Sequence, residues 1–257
     1  MFKMMKYEYR RGLFPLMIVL AIIAAAELAF LIGVGADKPS LYAIGMSGLM
    51  FGGVMAYLFV LVYGIVSYNR DLKDKSGYMV FMTPISSYQV IGAKLLSILL
   101  TGATLVVVLL LLLVLDYNVI KNVFVTGVDI EVTLDQMAKG ILGMSFASVM
   151  ANVAVLTIAM LVQFFTIITI AYLSISLSST VLQNKKIKGV VSAIIFIAIC
   201  VLMNWIGDKL PQFGDPMQVN TLIEAIYCNL LQFVNSLIFM LVGYFGSAIL
   251  LNKKISL

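Results

Sequence analysis

The chain has no histidine at all, two cysteines, one tryptophan and five prolines among its 257 residues, and only 11% of its residues are charged. Without histidine there is no imidazole to act as a general base or metal ligand. Cys200 and Cys228 lie in or beside separate apolar runs, have no metal-ligand spacing, and read as small apolar fillers. No G-x-x-x-x-G-K-[ST] phrase occurs. Gly92-Ala93-Lys94 comes nearest and lacks the loop that cradles phosphates, so the chain carries no P-loop of its own. The serines and threonines inside apolar runs have neither histidine nor a lysine base beside them and read as helix-packing groups. These absences argue against an enzyme and against a metal or nucleotide bound by this chain.

What is abundant is apolar: 62% of residues are hydrophobic and the mean hydropathy is +1.09, which no soluble surface tolerates. The fold class expected is an all-α membrane protein forming a single transmembrane domain over 1–257. A helix needs about 20 apolar residues to cross the hydrocarbon at about 1.5 Å per residue. Six segments meet that length, predicted at 13–33, 44–66, 95–115, 144–177, 189–206 and 226–251.

The uncharged run from Gly140 to Asn184 is long enough for two spans, but no Gly or Pro lies between Met144 and Lys188 to mark a tight turn. Charge also favours one span. With six spans and both termini cytoplasmic, 13 of the 17 Lys and Arg residues fall on the cytoplasmic side, as the positive-inside tendency requires. The predicted outer side keeps Lys38, Lys121, Lys139 and Lys209 beside eight acids, Asp116 among them. The basic pI near 9.1 then reflects topology, and nucleic acid is not an expected partner. The location expected is the cell membrane, with several passes.

Residues 1–12 place Phe2, Met5 and Tyr9 on one helical face with Lys3, Lys6 and Arg10 beside it, the pattern of an amphipathic helix at the lipid interface. A charged tail that only satisfies the positive-inside tendency is the plainer alternative. The outer loop predicted at 116–139 alternates apolar and acidic residues over 123–132 and could form a small hairpin. The loop 207–221, with Pro211, Gly214 and Pro216, reads as irregular.

One segment is dense in charge. It runs Arg70-Asp71-Leu72-Lys73-Asp74-Lys75-Ser76-Gly77-Tyr78-Met79-Val80-Phe81-Met82-Thr83-Pro84-Ile85-Ser86 and continues to Ile91-Gly92-Ala93-Lys94. Charges at Arg70, Asp71, Asp74 and Lys75 could stay in water on one side of a short helix. Tyr78, Met79 and Phe81 would then offer anchors of the kind enriched at protein interfaces, and Pro84 would end the helix. A solvated loop whose charges only hold the topology is the alternative.

This segment resembles the cytoplasmic loop of ABC type-2 transporter permeases. There a charged stretch and a Gly after the second span lead to a T-P-[IL]-[SR] turn and a G-K-L-like entry to the third span. The six spans, the Lys-rich loop between spans four and five and the basic tail Asn252-Lys253-Lys254 agree with that family. The chain departs from it in the mixed charges of 70–75 and in Ala93 between Gly92 and Lys94. The resemblance implies a coupling helix within the cytoplasmic loop 67–94, docking on a separate ATPase subunit through Arg70, Asp71, Lys73, Asp74, Gly77, Tyr78, Met79, Phe81 and Pro84. It implies two ATPase copies that bind ATP and Mg, a second permease chain making a homodimer or heterodimer, and export across a bacterial cell membrane. The cargo it allows is an antimicrobial peptide, a drug or a lipid-like molecule.

Within the spans, Glu27 is costly in hydrocarbon and therefore a candidate for the translocation path, with a structural hydrogen-bonding role as the alternative. Gly48 and Gly52 form a GxxxG that suits either packing within the chain or a dimer contact. Asn152, Gln163, Asn204, Gln232 and Asn235 could line a path or bond between helices. Two functions from other classes compete with the exporter: an ion-coupled secondary transporter, which should carry several intramembrane acids, and a non-transporting scaffold or immunity protein.

Overall fold

The computed structural model describes residues 2–36, 38–73, 86–124, 146–181, 187–211, 213 and 222–255. Its elements are six helices: α1 Phe2–Gly35, α2 Pro39–Lys73, α3 Ser87–Phe124, α4 Phe146–Val181, α5 Lys188–Lys209 and α6 Leu222–Ile255. All six are long and apolar enough to cross a membrane. Large apolar side chains such as Phe14, Met50, Phe51, Met160 and Trp205 stand exposed along them, as lipid contact requires. The chain divides into two compact units, Met1–Gly127 and Val128–Leu257, each holding three of the helices.

Several helices outrun the apolar segments that predict them. At 34 residues α1 is about 51 Å long, well beyond the hydrocarbon thickness of about 30 Å. No boundary separates residues 2–12 from the span: they form the first three turns of the same helix, and Pro15 lies within it. α2 continues past position 66 to Lys73, and α3 begins at Ser87, so the loop expected at 67–94 shrinks at both ends. At its far end α3 continues to Phe124, through the start of the predicted outer loop. No Gly or Pro interrupts 103–126, and the Asn118 side chain donates back to the Val114 carbonyl at 2.8 Å, so nothing ends the helix at Asp116. Val123 and Phe124 of the anticipated hairpin are helical, and the rest of it lies outside the described residues. The uncharged run at 140–184 carries one continuous helix, α4.

In the first unit α1 and α2 form an antiparallel hairpin around a turn closed by Ala36 N–H to the Ile32 carbonyl at 2.9 Å and Lys38 N–H to the Gly33 carbonyl at 3.0 Å. Pro39 opens α2, where its missing N–H costs nothing. Next to the turn the two backbones touch. A Cβ on Gly33 would run into the Tyr42 backbone, and one on Gly45 into the Phe30 backbone. The same register continues along the hairpin: Gly48 faces Ala26, Gly52 faces Ile23, and Gly12 faces the Tyr63 hydroxyl. Helices in lipid gain little from hiding apolar surface, so close backbone approach and the dispersion contacts it permits hold them together. α3 packs against both members of the hairpin.

In the second unit α4 packs chiefly on α6, with α5 against both. The approach is again at small residues, since a Cβ on Gly243 would lie 2.8 Å from the Thr169 carbonyl carbon. Polar bonds add to it. Thr166 Oγ1 donates to the Ser236 carbonyl at 3.0 Å and Ser236 Oγ to Gln163 Oε1 at 3.0 Å, while Asn235 Nδ2 reaches the Met203 carbonyl on α5 at 3.2 Å. Two of the polar residues noted in the sequence therefore bond between helices. α5 ends where Leu210 takes an extended conformation ahead of Pro211, as the residue before a proline must.

Candidate functional site

At the end of the first unit where α1 begins, four charged side chains from three helices converge. Glu8 and Arg11 come from one face of α1, Asp71 from the last turn of α2, and Lys94 from the third turn of α3. Lys94 Nζ donates to Glu8 Oε1 at 2.8 Å and also to Asp71 Oδ2; the other Asp71 oxygen accepts from Arg11 Nη1 at 2.8 Å. Lys94, Glu8 and Asp71 are each only 2–3% exposed, and Arg11 leads out toward solvent.

Positions 63, 67 and 71 recur every four residues on α2, so their side chains stack on one face. That face completes the cluster. Ser67 Oγ donates to Glu8 Oε2 at 3.3 Å and the Tyr63 hydroxyl to the Glu8 backbone carbonyl at 3.4 Å. Ser97 on α3 bonds back to the Lys94 carbonyl at 2.8 Å. Two acids and two bases make the quartet neutral. Neutrality and full hydrogen bonding are what let such charges remain buried, because desolvation of each costs several kcal/mol if it is left unpaired.

The sequence reading keeps Asp71 in water on one side of a short helix; the structure buries it with Glu8 and Lys94 and pairs the three with one another. Asp71 is thus not on the solvated face of a short helix but inside the last turn of α2. Arg70 sits beside it, half-buried, with its Nε lacking a hydrogen-bond partner, and Lys73 ends the helix. Asp74, Lys75, Gly77, Tyr78, Met79, Phe81 and Pro84 lie outside the described residues.

The remaining sequence candidates also find places. Gly48 and Gly52 both face α1, so the GxxxG serves packing within the chain. Glu27 is 5% exposed, and neither of its carboxylate oxygens has a hydrogen-bond partner. Its carboxyl interacts electrostatically with that of Asp116, whose Oδ1 is likewise buried without a partner. The sequence places Asp116 in an outer loop, whereas in the structure it belongs to α3 and approaches α1. In the second unit a cleft of about 260 Å³ opens between α4 and α6, lined by Met160 and Phe233 and by Gln163, Asn229, Gln232 and Ser236.

A partial signal for the quartet exists in the sequence: Glu8 and Asp71 are acids among an excess of Lys and Arg at the ends of the first three apolar runs. Which acid meets which base depends on helix rotation, and local pattern does not encode that. Compared with known proteins, the chain matches no family model, no curated protein and no solved structure.

Proposed function

We propose that this chain is the permease subunit of an ATP-driven exporter of the ABC type-2 kind, sitting in the cell membrane with both termini cytoplasmic and powered by a separate ATPase subunit. The observation that carries this reading is the quartet, because of where its members sit. Asp71 and Lys94 stand on the two helix ends that bracket the segment 74–85, and both are bound to Glu8 and Arg11 at the start of α1. A pull or push on that segment reaches α1, α2 and α3 together through buried charges, without first bending any one of them. That is the mechanical property a coupling element needs.

In this reading Tyr78, Met79 and Phe81 enter a cleft of the ATPase, with Gly77 and Pro84 shaping the turn. Two ATPase copies close on ATP and Mg, and two permease chains, alike or different, switch from inward- to outward-facing around a shared path. The cargo belongs to the broad class of peptides, drugs and lipid-like molecules. Purification of the chain with its native partners tests the reading. A co-purifying ATPase is expected whose hydrolysis depends on this subunit, and Tyr78→Ala with Met79→Ala should abolish co-purification while leaving the membrane helices intact. An unchanged ATPase complex in the double variant sinks the docking role, and absence of any ATPase sinks the exporter.

One observation favours a second reading, ion-coupled secondary transport. Glu27 is not a solitary acid within the helices, since its carboxyl interacts electrostatically with that of Asp116 on α3. Transport in vesicles that follows an imposed ion gradient, and proceeds without ATP, would select that reading.

A further inference from the structure

α1 and α3 run in the same direction through the first unit, and charged groups join them at both ends. At one end Lys94 and Glu8 attract. Nineteen residues further along α1 comes Glu27, and twenty-two further along α3 comes Asp116, about 28 and 33 Å away along the helices. At this second end both groups are acids.

Glu27 is 95% buried by its 5% exposure, and its two carboxylate oxygens, together with Asp116 Oδ1, are buried with no hydrogen-bond partner. A carboxylate in such a place needs a positive partner, and the cost of leaving it without one is several kcal/mol. Among the described side chains no cation forms an ion pair with either carboxyl. Between Arg11 and its end at Gly35, α1 has no charge other than Glu27; α2 has none between Pro39 and Asn69; α3 has none between Lys94 and Asp116. Among the described residues the other titratable groups toward this end are Lys38 just before α2, Tyr42 on it, and Tyr117 and Lys121 in the last turns of α3. Among the described groups it is Asp116 that acts on Glu27, and Asp116 repels it when both are ionised.

We propose that Glu27 and Asp116 form a binding site for a single proton, shared between their two carboxyl groups and linking α1 to α3 within the membrane-crossing part of the first unit. One proton turns the repulsion into an O–H to carboxylate hydrogen bond, the strong charge-assisted kind, and satisfies oxygens on both residues. Two acids sharing a site lose their protons in two well-separated steps that belong to the pair. A divalent metal fits less well. Ca takes six to eight oxygens and two carboxyl groups offer four, and among the described residues no group of three or more His, Cys, Asp or Glu could hold a metal ion. Loss of the proton would drive Glu27 and Asp116 apart while Lys94 and Glu8 still hold the other end, so α1 and α3 would splay at the Glu27 end. The site stands independently of the exporter reading, because it needs no ATPase to be observed.

Infrared difference spectroscopy on the full chain in lipid nanodiscs tests it. The wild type at neutral pH should show one protonated-carboxyl C=O band per chain, shifted in D₂O and lost on alkaline titration. Glu27→Gln should remove the band, and Asp116→Asn should move it by changing its hydrogen-bond partner. The proposal is overturned if the wild type has no protonated carboxyl at neutral pH, or if the band survives Glu27→Gln unaltered. It is also overturned if sodium chloride, set against choline chloride at equal concentration and pH, abolishes the band, since the pair would then be a metal-ion site. The wild-type titration decides even if a variant fails to fold.

Discussion

The Lys94 ammonium on α3 donates to the Glu8 carboxylate on α1 at 2.8 Å, across 86 positions of sequence, with both side chains 2% exposed. Asp71 accepts from the same ammonium, so one buried lysine joins all three helices of the first unit. A pair this deep does not add much stability over an apolar replacement. Its effect is on specificity, since any helix rotation that separates the partners strands a charge in a dry interior.

Replacing Lys94 alone should therefore be severe. Lys94→Ala leaves Glu8 and Asp71 buried without their shared cation, and a loss of about 3–5 kcal/mol is expected in reversible unfolding from mixed micelles. Adding Glu8→Gln to Lys94→Met, with Asp71 left to its pairing with Arg11, removes the stranded charge and should recover most of that loss. A Lys94→Ala variant as stable as the wild type would show that the quartet does not hold the helices.

The α1–α2 hairpin makes a contrast between two glycines of the same helix. Gly45 meets the Phe30 backbone, whereas a Cβ on Gly53 would find nothing within 4 Å. Gly45→Leu should cost at least the 1–3 kcal/mol typical of overpacking, because backbone cannot move aside as a side chain can. Gly53→Ala should be neutral or gain up to about 1 kcal/mol from helix propensity. Thermal unfolding of the two variants side by side measures both, and equal effects would contradict the backbone contact.

Hydrogen bonds in the second unit should contribute modestly. Thr166→Val removes the bond to the Ser236 carbonyl between α4 and α6, and Asn235→Leu removes the bond to the Met203 carbonyl between α6 and α5. Each is expected to cost about 0.6 kcal/mol and no more than about 1.7 kcal/mol, the range found for interhelical bonds in membranes. Denaturant titration of single and double variants gives the values. Larger losses would mean that these bonds, and not the close contact at Gly243, hold the unit together.

Particular residues show how far the sequence could be read. The run at 140–184 is legible as one helix because it lacks Gly and Pro as well as charge, and α4 is unbroken there. The ends of α2 and α3 are less legible. Asp71 reads as part of a separate short helix and Asp116 as a loop residue, yet Asp71 lies in the last turn of α2 and Asp116 within α3, since a helix end is set by backbone breakers and by whether its charges find partners. The Gly48–Gly52 motif leaves its partner open in sequence, and the structure assigns it to α1 through a register that begins at the turn near Gly33.

By itself the sequence determines the class of this protein, the number of its long apolar helices and the excess of positive charge near their ends. These are local properties: a run of apolar residues either does or does not match the thickness of a bilayer, and no distant contact alters that. Only the tertiary structure decides that Glu8, Asp71 and Lys94 leave water to bind one another, and that Glu27 comes within electrostatic reach of Asp116. Those outcomes depend on how three helices rotate and slide against each other. Close packing at Gly33 and Gly45 sets that register, far along the chain from the charges it brings together.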